Sequence, residues 1–208
     1  MRDLFHMLRH PDEGFTLVEL LISLALMGFV LSAAYLLLNT VSGDSNIVQA
    51  RSQAVEENRH AMEVISTEIR QAVEEFDSAG VFKTMGATDC TFTSDVDHDG
   101  VPELVRYYLS SGKLYKDVKQ HTKNFPPYTF SATSATGYPK IVCSAVTNTD
   151  IFTYLDQSSP TPLAVTSLPD IAAVTIHIVD TATVSGAVGT SDVTTWVKIR
   201  SVHNTIIQ

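Results

Sequence analysis

The stretch "SDVDHDGVPELV" sets Asp95, Asp97 and Asp99 at alternate positions, follows them with Gly100, and adds Glu103 three residues later. Carboxylates crowded in this way repel one another, and a hard divalent cation relieves the repulsion. The spacing matches the first half of an EF-hand loop. There, side chains at the first, third and fifth positions and a backbone carbonyl at the seventh, here Val101, surround Ca2+, while glycine permits the sharp turn. The match stops at the twelfth position, where Arg106 stands in place of a bidentate glutamate, and the flanks read as strand. Glu103 would therefore have to complete a shell of Asp95, Asp97, Asp99 and the Val101 carbonyl. The expectation is a calcium-loop-like turn, and a solvated acidic turn is the alternative. Mg2+ is disfavoured because it rarely uses a loop so rich in protein oxygens.

Catalytic chemistry has less to stand on. His60, His98, His121, His177 and His203 are scattered, and no G-x-S-x-G, H-E-x-x-H, C-x-x-C or phosphate loop is present. The chain does not read as an enzyme. Its 14 basic against 23 acidic residues, a formal net charge of −9, also argue against binding a nucleic-acid backbone.

Glu19 is an unusual carboxylate, because it sits inside a long apolar run. From Leu20 to Leu38 no residue is charged, and nineteen residues at about 1.5 Å each span a hydrocarbon core of roughly 30 Å. A secretory signal would have a shorter apolar region and a small-residue cleavage site after it. Here the run passes instead into a second helical pattern from about Asp44 to Phe76. In that pattern Val48, Val55, Met62, Ile69 and Phe76 recur every seven residues, with Ile65 and Ala72 between them. Arg51, Glu56, Glu57, Arg59, Glu63, Glu68, Arg70 and Glu74 occupy the other faces, so an amphipathic helix lying on a soluble core is expected. Asp77-Ser78-Ala79-Gly80 supplies the stop. Joined through Ser42-Gly43, the two patterns form one long helix.

Most glycines and prolines fall after residue 79, with dense Ser and Thr, as in turn-rich β structure. "ELVRYYL" and "KLYKDV", joined by Ser110-Ser111-Gly112, read as a hairpin. Val174, Ile176 and Ile178 alternate with Thr175, His177 and Val179, and Val197 and Ile199 alternate with Trp196, Lys198 and Arg200.

Gly14-Phe15-Thr16-Leu17-Val18-Glu19 followed by the apolar run resembles the processing site of a type IV prepilin or type II secretion pseudopilin. The resemblance implies that a prepilin peptidase cuts after Gly14 on the cytoplasmic side and methylates Phe15. The apolar helix is then retained as a membrane anchor and filament core. It also implies that Glu19 pairs with the amino-terminal ammonium of a neighbouring subunit; the alternative places Glu19 near the lipid headgroups without a partner. The leader departs from the family pattern in carrying Asp12-Glu13 before the glycine, where a basic residue is usual.

"VTNTDIFTYLD", "LPDIAAVTIHIVD" and "TTWVKIRSVHN" are similar to the late strands of minor pilins and J-type pseudopilins. The implied fold is α+β and pilin-like, a long amino-terminal helix on a mainly antiparallel β domain of roughly six to nine strands. Its parts are a leader at 1–14, a transmembrane half-helix at 15–42, an amphipathic half at 43–79 and a head at 80–208. The implied partners are the peptidase, other pilins or pseudopilins, the inner-membrane assembly platform and, before assembly, membrane lipid. The implied location is the inner membrane with the head outside the cytoplasm, then a filament.

Cys90 and Cys143 would both face the oxidising side, where disulfides persist. A bridge would add about 4 kcal/mol in the chain-entropy model, and two buried free thiols are the alternative. A soluble part larger than a compact major pilin needs, and the absence of proline from Phe29 to Leu38, favour a low-copy minor subunit. A membrane-anchored adhesive or ligand-binding module is the competing function.

Overall fold

The computed structural model describes residues 16–73, 80–123, 128–156 and 171–199. One helix, α1 (Leu17–Arg70), runs unbroken through Ser42-Gly43. Thr16 caps its start, the Thr16 Oγ1 accepting the Glu19 N–H at 3.3 Å. A carboxylate in the first turn also suits the positive end of the helix dipole. The helix ends at Arg70, short of the expected 79. The reason is that the next residues pair with a strand: Ala72 bridges Ser94 and the Val73 N–H donates to the Thr93 carbonyl. Phe76 lies outside the described residues.

The chain divides into two compact units, residues 1–45 and 46–208. In the first, every described side chain is exposed, from Leu17 and Leu20 through Phe29 and Leu38 to Val41. The second contains the remainder of α1 and two antiparallel sheets. β1 (Phe82–Met85), β2 (Asp89–Ser94), β3 (Glu103–Ser110), β4 (Lys113–Lys119) and β5 (Lys140–Cys143) follow one another in spatial order. β6 (Phe152–Asp156), β7 (Ile171–Val184) and β8 (Ala187–Lys198) form the other sheet. The α+β expectation holds: one long amino-terminal helix packs on antiparallel sheets as in a pilin-like fold.

The β3–β4 hairpin turns at Ser111-Gly112, both with positive φ (50° and 71°), which suits the right-handed twist of the strands. An equivalent turn at Ser185-Gly186 joins β7 to β8. That second hairpin starts β8 at Ala187, well before the Thr194 at which the sequence pattern begins. The missed signal is a Ser-Gly pair identical to the one recognised at 111–112. The alternation read on β7 holds, with Val174, Ile176 and Ile178 buried and Thr175, His177 and Val179 less so.

One apolar core spans both sheets and the helix. Met62, Ile65 and Ile69 of α1 meet Phe82, Phe92, Tyr107 and Leu114 on one side and Val174, Ile176, Ile178 and Val197 on the other. Phe82 links the sheets through Tyr154, whose ring stands edge-on at 5.7 Å.

The face that α1 buries differs from the expected one. Val48 is 69% exposed and Val55 44%, whereas Ala50, Ala54, Asn58 and Ala61 are fully buried. The two frames coincide only from Met62 onward. The cause is a close approach of backbones: Gly189 of β8 lies directly against Ala50 and Arg51, a separation that admits alanine and not valine. Asn58 holds the contact together, since its Nδ2 donates to the carbonyls of Ile178 (3.3 Å) and Ser191 (3.1 Å). Each such bond contributes about 1 kcal/mol, and an unmet buried amide costs more than that.

Glu68, expected on an exposed face, is buried. Its Oε2 accepts the Tyr107 hydroxyl at 2.5 Å and its Oε1 accepts from the Lys116 ammonium. Burial, and then the Glu68 charge, hold the Tyr107 hydroxyl well above its ordinary range.

The cysteines are not bridged. Both are free and buried, Cys90 on β2 and Cys143 on β5, with β3 and β4 between them. Three strand spacings amount to about 14 Å, whereas bridged Cα atoms lie within about 7 Å.

Two outcomes follow. Gly189→Ala would push a methyl into the helix backbone, so it should cost about 1–3 kcal/mol and lower the thermal midpoint by several degrees; an unchanged midpoint would refute the close approach. In the absence of reductant, denatured protein should titrate two thiols per chain. Folded protein should titrate neither at mildly alkaline pH, because burial pushes the Cys90 thiol up to about 12 and raises the Cys143 thiol as well. No thiols in the denatured state would restore the bridge.

Candidate functional site

The acidic turn joins β2 to β3, and the turn's own backbone is folded around its carboxylates. Asp95 Oδ2 accepts the Gly100 N–H at 3.0 Å, Asp97 Oδ1 accepts from Asp99 at 3.2 Å, and Asp99 Oδ1 accepts from Val101 at 2.8 Å. His98 and Gly100 take the left-handed conformation, φ 63° and 88°, which only glycine adopts without strain and which curls the chain tightly. The result brings one ligand atom from each of Asp95, Asp97 and Asp99 within 4.8 Å of the others. Asp97 and Asp99 are exposed and Asp95 is half-buried, with an Oδ1 that is buried and has no hydrogen-bond partner among the described residues.

Glu103 is placed differently from the three aspartates. It opens β3 opposite Ser94, and the inward half of the strand's alternation buries it to 1% exposure. Its Oε2 accepts the Val96 N–H at 2.9 Å, which ties the start of the turn to its end. Its Oε1 faces His121 Nδ1 at 3.6 Å, too far for a hydrogen bond, and neither atom has a partner among the described residues. Burial, followed by the charges of Asp97, Asp99 and Asp95, pushes the Glu103 carboxyl up, against the opposing pull of the Val96 N–H. The turn thus collects three aspartates directly and holds Glu103 behind them through Val96. Val101 contributes its N–H to Asp99.

The donor set suits a hard cation. It consists of oxygen atoms alone, carries several negative charges, and includes an unpartnered oxygen on Asp95 that a metal would satisfy. The amino-terminal site has a different character. Glu19 is exposed in the first turn of α1, the only formally charged residue between Thr16 and Asp44. Gly14 and Phe15 lie outside the described residues.

Groups that spacing could not have found lie elsewhere. Glu57, Cys143 and Asp180 come from α1, β5 and β7 and meet only in the folded chain. His177 stands between Asp150 and Asp192, each carboxylate 3.1 Å from one ring nitrogen.

Among known proteins, residues 9–35 match the family model described as the prokaryotic N-terminal methylation motif. No curated protein matches the chain significantly. The matched segment contains the Gly14-Phe15 junction, Glu19 and the first part of the exposed apolar half of α1, a helix long and apolar enough to cross a membrane. Together the motif and this helix give the chain the signature of the type IV prepilin and pseudopilin superfamily.

Proposed function

We propose that the chain is a minor pilin-like structural subunit, cut between Gly14 and Phe15 by a prepilin peptidase, methylated at Phe15, and assembled into or at the tip of a type IV pilus or pseudopilus. The observation that carries this reading is the methylation motif set on a half-helix whose apolar side chains are all exposed. A surface of that size and apolarity requires lipid before assembly and neighbouring helices after it. The motif is that of a family of structural subunits.

Glu19 supplies the register. A carboxylate in an apolar helix bundle is costly alone and is neutralised by a cation at a neighbour's amino terminus. The ammonium of Phe15, freed by the cut, is that cation. Glu19→Ala should therefore be processed to normal mature size, because the cut needs only the Gly14-Phe15 junction, yet enter filaments poorly. Normal incorporation of the variant, measured in sheared filament fractions, would end the pairing role.

In the head, Ca2+ held by Asp95, Asp97 and Asp99, with Glu103 behind them and the Val101 carbonyl as a further ligand, orders the β2–β3 turn. When bound, the ion would neutralise carboxylates that otherwise repel one another. A ligand confined to the folded state stabilises it by about 2.7 kcal/mol at a hundredfold excess over Kd, equivalent to a rise of about 5–10 °C in thermal midpoint. Extracellular calcium sites often bind at about 0.1–1 mM, so the titration of full-length protein in detergent should reach several millimolar. Asp97→Ala should abolish the rise while leaving the metal-free protein folded. Identical melting curves in chelator and in calcium would reduce the turn to a solvated acidic loop.

A further inference from the structure

The Cys143 thiol, at the end of β5, is fully buried beside two carboxylates that come from other elements. Glu57 reaches it from α1 and Asp180 from the middle of β7, and one ligand atom from each of the three lies within 4.8 Å of the others. Asp180 is completely buried. Its Oδ1 accepts the Ala145 N–H at 3.2 Å, and its Oδ2 is buried with no hydrogen-bond partner among the described residues. Glu57 Oε1 accepts the Ser144 N–H at 2.6 Å. Consecutive backbone amides just after Cys143 therefore grip one oxygen of each carboxylate. Among the described residues no ion pair engages either carboxylate, so a fully buried acid and a half-buried one stand beside a buried thiol without a cationic partner. Asn58 adds a fourth donor at the edge, its Oδ1 3.9 Å from Cys143 Sγ. A fully buried carboxylate oxygen with no partner among the described residues is costly to desolvate, and it points to a missing positive group.

We propose that Glu57, Cys143 and Asp180 form a second metal site, separate from the acidic turn, for a borderline divalent cation of the zinc class. A sulfur donor disfavours Ca2+ and Mg2+ and suits Zn2+ beside carboxylate oxygens. Zinc takes sulfur at about 2.3 Å and carboxylate oxygen at about 2.0–2.2 Å, usually with four ligands in a tetrahedron. The three protein donors need to draw together by only about an ångström to meet those distances, and Asn58 Oδ1 or water supplies the fourth position. The Ser144 and Ala145 amides then act as the outer hydrogen-bond donors that orient ligating carboxylates. Binding displaces the thiol proton to solvent and forms the metal–sulfur bond. Two carboxylates and a thiolate against a divalent ion leave a net charge of −1, in place of an uncompensated acid pair. Burial and the neighbouring acids push the Cys143 thiol up, so loading weakens as pH falls. Because the three ligands come from the helix and from both sheets, the ion clamps all three layers of the head.

The test uses full-length protein in detergent, stripped with chelator and then kept in several millimolar Ca2+ so that the acidic turn is saturated throughout. Co2+ should produce a thiolate-to-metal charge-transfer band with intense visible bands of tetrahedral geometry, and Zn2+ should bleach both. Cys90→Ser should leave the spectrum unchanged, and Cys143→Ser should abolish the charge-transfer band. Because Cys143→Ser could disturb the core, Asp180→Asn and Glu57→Gln provide the second measurement. Each keeps an oxygen for its backbone amide, and each should weaken Co2+ binding at least tenfold with an unchanged circular dichroism spectrum. No charge-transfer band in the unmutated chain, a band that survives Cys143→Ser, or affinity unaffected by both carboxylate variants would each overturn the site. The two acids would then share a proton instead. A calcium-insensitive melt alongside an intact cobalt band would remove only the acidic-turn reading.

Discussion

The head is organised around the approach of α1 to β8, where helix and strand backbones come into direct contact at Gly189. That separation dictates the small side chains of Ala50, Ala54 and Ala61 on the helix. It also lets Asn58 reach the carbonyls of Ile178 and Ser191 on two adjacent strands at once. Close packing of this kind is intolerant of added volume. It fixes the rotation of the helix about its axis, and with it which of the following residues point inward. Met62, Ile65, Glu68 and Ile69 take their places because the alanines upstream have already set the face.

The same rotation explains why so many polar groups are inside. Glu68 is carried into the core, where Tyr107 and Lys116 satisfy both of its oxygens. The ion pair and its hydroxyl donor arrive from β3 and β4, whose register sets Tyr107 opposite Lys116. Glu57, one residue before Asn58, is brought beside Cys143 and Asp180. Glu103 is inside for a different reason, the period-two alternation of β3. Buried carboxylates in low dielectric stay charged only with partners. Glu68 has them within the chain, whereas Glu103 and Asp180 each keep an oxygen without one among the described residues. Where partners are missing, the chemistry invites a cation.

α1 serves two environments with one secondary structure. The described side chains of its first half are exposed, and its second half is a core element. A helix satisfies its own backbone hydrogen bonds and so can continue from lipid or a helix bundle into a protein core without a break. The side chains then decide the environment: uninterrupted apolar residues with a single carboxylate in one half, and an alanine-rich stripe flanked by charges in the other. The methylation motif at residues 9–35 thus overlaps the start of the same helix whose later turns pack in the core.

Much of this was legible because it depends on local patterns. The apolar run from Leu20 to Leu38, the Gly14-Phe15 and Glu19 motif, the Ser111-Gly112 hairpin and the alternation at Val174, Ile176 and Ile178 are each short-range signals. The aspartates of the turn also came together as their spacing implied, since Asx-type bonds within a few residues close the loop. What the residues could not reveal by themselves was non-local. The helix face was set by Gly189, far along the chain, so large valines at 48 and 55 misled and small alanines carried the contact. The cysteines looked like a pair until the strand order separated them by two intervening strands. Glu103 was assigned to the aspartates by proximity in sequence, yet strand register turned it inward. Glu57, Cys143 and Asp180 share no spacing at all. Sequence determined most of the segments that are helix, strand and turn, and which one is long and apolar enough to cross a membrane, because those follow from neighbours along the chain. The tertiary structure alone decided which buried polar groups face one another, because that depends on how three layers pack.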